Sequence, residues 1–259
     1  AILGGQGVGK SETIKTLAMH AEKILRLEGT DPKHPNVIVC AFTGKAASLI
    51  SGITIHSAFG LKFGAEQPAL LGKPLAEAQT QLANLKLIII DEVSMLSSQM
   101  LHNINKKLSE IFKTNELTEP FANINIVLVG DLLQLPPVNG TVVFKNVDTW
   151  MSRLNNEAEK LRLSAFVDNP LWKMFEPIIL RHNHRQGEGN TWANSLNNFR
   201  RGIVTKEDEA RIKTRITKKK FLEDDCMHVY YLNDDVNRHN ENMLDTIPSN
   251  KITIIASQK

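Results

Sequence analysis

Residues 4–11 read GGQGVGKS, an uninterrupted G-x-x-x-x-G-K-S, and no other stretch restricts the fold of this chain as tightly. Such a loop works only where a buried strand runs into it and a helix leaves it, because its backbone N–H groups must converge on one anion. Ala1, Ile2 and Leu3 supply the strand. They fall short of the roughly 5 residues usual for one, and no Met opens the chain, so an N-terminus clipped within that strand is expected. Ile14, Leu17, Ala18, Ala21, Ile24 and Leu25 recur at helical spacing up to Gly29, which predicts the helix. In this setting Gly4, Gly5, Gln6, Gly7, Val8, Gly9, Lys10 and Ser11 make a nucleoside triphosphate cradle. The glycines admit close backbone approach, Lys10 supplies a cation for the β and γ phosphates, and Ser11 supplies a hydroxyl for Mg²⁺.

The remaining chain continues the alternation of strand and helix. VIVCAF at 37–42 follows Pro35 and precedes Thr43-Gly44, as a buried parallel strand would. LIII at 87–90 and INIVLV at 124–129 run into Asp and Gly-Asp, and the pattern predicts a helix over 98–112 between them. Residues 60–86 carry Gly64, Pro68, Gly72 and Pro74, a short helical stretch and no core strand, which reads as a small surface insertion. After PLWKMF at 170–175 and IIL at 178–180, helices are predicted over 192–200, 206–216 and 234–244, with strands over 228–232 and 252–256. The class is α/β with a parallel sheet. Residues 1–181 form one domain and 182–259 an incomplete second one.

Composition excludes more than it selects. At 42% hydrophobic, 259 residues bury a substantial core. No apolar run approaches the roughly 18 residues of a bilayer span, so no membrane partner is expected. Cys40 and Cys226 stand alone, without ligand spacing, which fits a reduced, intracellular protein and indicates neither disulfides nor zinc. His182 and His184 likewise have no carboxylate or thiol at metal-ligand spacing. A net charge of +3 is compatible with a polyanionic partner and decides nothing.

Two further signals carry chemistry. Asp91 and Glu92 follow LIII directly, so the strand delivers two carboxylates to the sheet edge where the phosphate loop lies. An exposed acidic turn is the bland reading, but beside a complete phosphate loop Asp91 reads as a Mg²⁺ ligand and Glu92 as the base for an attacking water. VGDLLQLPPV at 129–138 has another strand-end Asp, then Gln134 and a double proline. Gln134 is placed to reach a γ-phosphate, and a plain proline-bounded turn fits the same residues. Trp172, Phe175 and Trp192 sit among apolar neighbours at helical spacing and read as core rather than base-stacking groups. The basic residues between Arg211 and Lys220 fit a phosphate-backbone footprint or a solvated helix face.

These motifs, with TGKAASLISGITIHSAFGL at 43–61 and IIIDEVSML at 88–96, stand in the order found in the Pif (petite integration frequency) helicases. That family comprises superfamily 1, group B DNA helicases related to RecD. PLWKMF, Arg185-Gln186 and YYLNDDVNRHNENML at 230–244 extend the resemblance over nearly the whole chain. It implies a RecA-like P-loop NTPase core followed by an incomplete second RecA-like core, closing on ATP and reopening on hydrolysis. It also implies 5′-to-3′ movement on single-stranded DNA, with unwinding of tailed duplexes in DNA repair, recombination or telomere and genome maintenance. By the same resemblance Thr43, Gly44, Thr54 and His56 contact single-stranded DNA, Gln134 senses the γ-phosphate, and Arg185 reaches the nucleotide from the second core. A helix cap or core hydrogen bond is the competing reading of His56. Catalysis would then rest on Lys10, Glu92, Gln134 and Arg185, with Mg²⁺ held by Ser11 and Asp91.

The expected protein is monomeric, nuclear or mitochondrial in a eukaryote and cytoplasmic in a bacterium. A GTPase is disfavoured because Asn105-Lys106 and Asn250-Lys251 lack the Asp of a guanine-reading N-K-x-D. A small-molecule kinase would leave VGDLLQLPPV without a role, and a DNA-binding module that has lost hydrolysis would not be expected to retain all six site residues. The family's last two motifs lie beyond the equivalent of Lys259, so this chain alone is expected to bind ATP weakly and unwind poorly.

Overall fold

The computed structural model describes residues 1–26, 28–29, 31, 34–62, 67–168, 170–185, 190–216 and 226–248. They fall into two compact units, Ala1–Thr205 and Lys206–Lys259. The first unit holds β1 (Ile2–Gly4), α1 (Lys10–Leu25), β2 (Val37–Ala41), α2 (Gly44–Leu49), β3 (Ile53–Thr54) and α3 (Ile55–Phe59). It continues with α4 (Gly72–Gln81), β4 (Leu87–Asp91), α5 (Ser98–Phe112), β5 (Asn125–Gly130), α6 (Asp148–Met151), α7 (Glu157–Ser164), β6 (Ile178–Leu180) and α8 (Thr191–Arg200). The six strands form one parallel sheet in the order β3-β2-β4-β5-β1-β6.

Strand alternation sorts the side chains into two cores. Ile88 and Ile90 face one side, where they meet Leu101, Ile104 and Leu108 of α5. Leu87 and Ile89 face the other, with Ile14 of α1, Ala47 and Val129. A strand apolar at every position is what burial on both faces demands, and each fully buried isoleucine is worth about 1.5–3 kcal/mol. Helix α5 spans the predicted residues. The Ser97 hydroxyl accepts the Met100 N–H at 3.0 Å to start it, and Lys113 at φ 55° stops it.

The segment expected as a surface insertion is tied down at several points: Leu61, Leu82 and Leu85 are buried in the core, and Gln79 Nε2 donates to the Ile111 carbonyl at 2.9 Å. Lys107 on α5 is fully buried, and its ammonium donates to the Pro68 carbonyl and to Glu110 Oε2 at 3.0 Å. The same Glu110 oxygen accepts the Leu70 N–H at 3.2 Å. Helix α4 itself buries no residue.

His102 on the same helix is buried between Trp150 and Phe166, with ring centroids 6.2 and 4.8 Å away. Among the described residues its Nδ1 has no hydrogen-bond partner. Burial, then Arg162, pushes its pKa down to about 3. The unfolded chain therefore binds a proton that the folded chain refuses between pH 6.5 and about 3, so stability falls as pH drops through that window. The cost is up to about 1.4 kcal/mol per pH unit. The melting temperature is expected to fall between pH 7 and pH 5, with a smaller fall in His102→Phe. An identical pH profile in the variant would contradict this.

The second unit contains α9 (Lys206–Lys213) and α10 (Asn233–Thr246). Residues 228–232, predicted as a strand, are irregular. A strand needs a neighbour to take its ladder hydrogen bonds, and among the described residues 206–248 there is none. The strand predicted over 252–256 lies outside the described residues. Lys213 pairs with Glu209 at 2.6 Å on a solvated face, Arg211 pairs with the buried Asp208 at 3.7 Å, and 217–220 lie outside the described residues.

Candidate active site

Register carries the functional residues to one edge. Leu3 stands opposite Gly130, Gly4 opposite Leu180, Ile90 opposite Leu128 and Ala41 opposite Asp91. The phosphate loop, Thr43, Glu92, Asp131 and Arg181 therefore all leave the sheet at the carboxyl ends of its strands, where open α/β sheets bind their ligands.

Within the loop, Gly7 and Gly9 have φ of 74° and 88°, a region that favours glycine. A Cβ on Gly4 would stand 2.8 Å from the Leu180 carbonyl oxygen, so β6 presses directly on the loop. The Lys10 ammonium donates to the Gly4 and Gly5 carbonyls at 3.0 and 2.7 Å, folded across the loop's mouth. Burial lowers its pKa, opposed by Asp131, Asp91 and Glu92 in that order. Lys10 and the three carboxylates thus form one electrostatic unit.

Asp91 is buried at the end of β4, and its Oδ1 accepts the Glu92 N–H at 2.8 Å. Glu92 itself has φ 58° and ψ 47°, a left-handed conformation costing a non-glycine residue about 1–3 kcal/mol. The turn is held there by close packing, since a Cβ on Gly130 would lie 2.8 Å from the Val93 nitrogen. Burial raises the pKa of both carboxyls, and for Glu92 the neighbouring Asp91 raises it further. A glutamate strained into place with its pKa moved toward neutrality is suited to accept a proton from water.

No cluster of three or more His, Cys, Asp or Glu able to hold a metal occurs among the described residues. Magnesium does not require one. It is commonly held by one or two carboxylates or hydroxyls together with phosphate oxygens, and Asp91 and the exposed Ser11 hydroxyl are hard oxygen donors of that kind.

After β5, Asp131 Oδ1 accepts the Leu133 N–H at 3.1 Å and its carbonyl accepts the Gln134 N–H at 2.9 Å. The proline-bounded turn of the simpler reading is therefore real, and it delivers Gln134. Gln134, Glu92, Thr43 and Gln6 line one cleft of about 720 Å³. Arg185 is exposed on the segment after β6. That segment is fixed to the loop, because Asn183 Nδ2 donates to the Gln6 carbonyl at 3.1 Å and the His184 N–H donates to the Gly7 carbonyl at 2.8 Å. Asn183 Oδ1 in turn accepts the Arg185 N–H at 3.0 Å. Gln186 lies outside the described residues.

The contacts of residues 182–205 also explain why the first compact unit runs on to Thr205 rather than ending at 181. Helix α8 is drawn in by Arg200, whose Nε and Nη2 both reach the Asp131 carboxylate at 2.5 Å. Sequence reasoning assigned no role to Asp131, Asn183 or Arg200. The strand-Gly-Asp pattern marked Asp131, but nothing local points to a partner 69 residues away. Trp192, expected in the core, is 39% exposed with Phe199 at 6.3 Å, because it sits on the outer side of α8. Trp172 and Phe175 do pack against the core.

The four candidate DNA contacts cluster beyond β2 and β3. Thr43 caps α2 by accepting the Ala46 N–H at 3.2 Å, and Thr54 caps α3 by accepting the Ser57 N–H at 3.2 Å. The Thr43 hydroxyl keeps its own proton to donate, whereas the Thr54 hydroxyl also shares a 2.9 Å hydrogen bond with the Ser57 hydroxyl, in which either can be the donor. Gly44 is exposed at the start of α2. His56 is neither a cap nor fully buried. Its ring packs edge-on against Phe42 at 5.9 Å, and burial lowers its pKa.

A family model described as PIF1-like helicase matches residues 3–210. The chain belongs to the PIF1-like helicase family. It is 31% identical over 220 residues to the ATP-dependent DNA helicase PIF1 of Candida albicans, covering 83% of this chain and 22% of that protein. With the ATP-dependent DNA helicase Pif1 of Bdellovibrio bacteriovorus it shares 30% identity over 209 residues, 79% of this chain and 40% of the relative. Its fold matches the Pif1 helicase from Bacteroides in complex with ADP-AlF3 and ssDNA, with TM-score 0.68, 29% identity and coverage of 96% of this chain and 53% of that one. The Pif1 helicase from Candida albicans matches with TM-score 0.69, 26% identity and coverage of 96% and 51%. The chain thus spans 22–40% of these curated relatives and about half of the solved chains. This PIF1-like helicase chain has the RecA-like α/β core that the resemblance implied. No helix among its described residues is long and apolar enough to cross a membrane.

Proposed function

We propose that this chain is the ATP-hydrolysing part of a 5′-to-3′ DNA helicase that couples Mg²⁺-dependent turnover to movement along single-stranded DNA and opening of tailed duplexes. The observation that carries this is the convergence, at one sheet edge, of the phosphate loop bearing Lys10 with Asp91 and Glu92 at the end of β4, Glu92 and Gln134 lining one cleft. Relatives named as ATP-dependent DNA helicases, and a neighbour solved with ADP-AlF3 and ssDNA, support the same reading.

In this reading the loop amides and Lys10 hold the β and γ phosphates, exchanging the ammonium's bonds to Gly4 and Gly5 for bonds to phosphate. Ser11 and Asp91 hold Mg²⁺, which when bound neutralises phosphate charge. Glu92 takes the proton from the attacking water, Gln134 contacts the γ-phosphate, and Arg185 stabilises charge developing on it. Thr43, which lines the same cleft, begins the segment that would grip DNA with Gly44, Thr54 and His56. Sharing one cleft lets nucleotide state reach the DNA contacts through Gln134 and Thr43. Residues 182–205 pack on the ATPase unit and lead into residues 206–259, which would begin the second core of the working helicase, acting on intracellular DNA in the nucleus, mitochondrion or bacterial cytoplasm.

Titration with a fluorescent ATP analogue tests the foundation. Lys10→Ala is expected to weaken binding about 10- to 100-fold, the loss of one or two charge-assisted hydrogen bonds, while circular dichroism stays unchanged. Equal affinity in the two proteins would remove the assignment.

A further inference from the structure

The nucleotide reading leaves one buried ion pair without a task. Asp131 is fully buried, and a carboxylate so placed is tolerated only when its oxygens are satisfied. Arg200 satisfies both with a two-pronged contact, and the Leu133 N–H adds a third bond on Oδ1. The pair also stands over the phosphate loop. A Cβ on Gly5 would lie 3.8 Å from Arg200 Cζ, and Asp131 is the carboxylate that most strongly opposes the fall in Lys10 pKa.

Its two ends belong to the two groups that must converge on a γ-phosphate. Asp131 opens the turn that carries Gln134, and Arg200 belongs to α8, the first helix after Arg185. The Arg185 segment is fixed on its near side by Asn183 and His184 bonding to loop carbonyls. Arg200 holds the helix on its far side. We propose that the Asp131–Arg200 pair is a latch, and that Arg200 is a positioning residue setting where Arg185 stands relative to Gln134 and the phosphate loop. The proposal rests on the hydrolytic reading above. It assigns Arg200 no contact with the nucleotide.

The test uses the full chain with Arg200→Lys, Arg200→Met, Asp131→Asn and the Asp131→Asn/Arg200→Met double variant. Lysine keeps the charge but not the fork, so Arg200→Lys remains folded if the methionine variant does not. For each, ATPase kcat and KM, affinity for a fluorescent ATP analogue, and amide hydrogen exchange across 191–200 are measured. The latch predicts kcat lower by about 10-fold or more with affinity changed less than about threefold, as expected when geometry rather than binding is lost. It also predicts faster exchange in α8, and a double variant no worse than the poorer single one, since both remove the same contact. Retention of kcat within about twofold in Arg200→Lys, or losses that multiply in the double variant, would overturn it. An equal loss of affinity and kcat would make Arg200 a nucleotide contact and also overturn it. Hydrogen exchange needs no turnover. If the wild-type chain failed to bind or hydrolyse ATP, the functional reading would fall, and α8 exchange unaltered by Arg200→Lys would separately dispose of the latch.

Discussion

Glu92→Gln lowers ATP turnover by about 10²- to 10⁴-fold, the usual contribution of a general base, and at the same time raises the melting temperature. The two effects have one origin. Burial and the adjacent Asp91 raise the Glu92 pKa, so the folded chain holds the charged form at a cost the unfolded chain does not bear. Between the ordinary glutamate value and the raised one, the folded state binds more protons than the unfolded state, and stability falls as pH rises through that window. Glutamine keeps the shape and removes the charge. Catalysis requires that charge, so wild-type turnover is expected to fall with decreasing pH earlier than an ordinary glutamate would dictate. Single-turnover rates between pH 5 and 8 and calorimetric melting of both proteins measure the trade. A glutamine variant that hydrolyses normally, or melts lower than wild type, would show that Glu92 is not a strained base.

Arg185→Ala carries the other large effect, a loss of about 10³ to 10⁵ in turnover if it serves as the arginine finger. Here stability is not expected to move, because Arg185 is exposed and, among the described residues, is held through its backbone N–H to Asn183 Oδ1. Affinity for the ATP analogue should change far less than the rate, since the finger acts on charge that develops during transfer. Lysine should not rescue, lacking the planar fork. Turnover within tenfold of wild type would move the role elsewhere.

Local chemistry made Glu92 legible in the sequence, whereas Arg185 was marked only by family resemblance. A phosphate loop dictates strand, turn and helix around itself, and an isoleucine run ending in Asp91-Glu92 declares both its burial on two faces and its charged exit. Helix α5 was equally plain, because Ser97 and the apolar spacing of Leu101, Ile104, Leu108 and Ile111 mark it from within. What stayed hidden depends on partners distant in sequence. The hold of Arg200 on Asp131, and of Lys107 on the Pro68 carbonyl, are facts of topology. Thr43 and Thr54 were read as DNA contacts by resemblance, and the motif did not disclose the helix-capping bonds that both make. Residues 228–232 have strand-like composition, yet composition cannot supply the neighbour that a strand requires.

The close fit of β6 against the phosphate loop has a mechanical meaning. Strand β6 pairs with β1 at Ile2, Leu3 and Gly4. Tension applied to the chain beyond Leu180 would act along that ladder, as sliding shear between two short parallel strands. Bonds loaded in this way share the force and fail together instead of peeling one at a time. A ladder built like this can transmit a pull to the phosphate loop without loosening it.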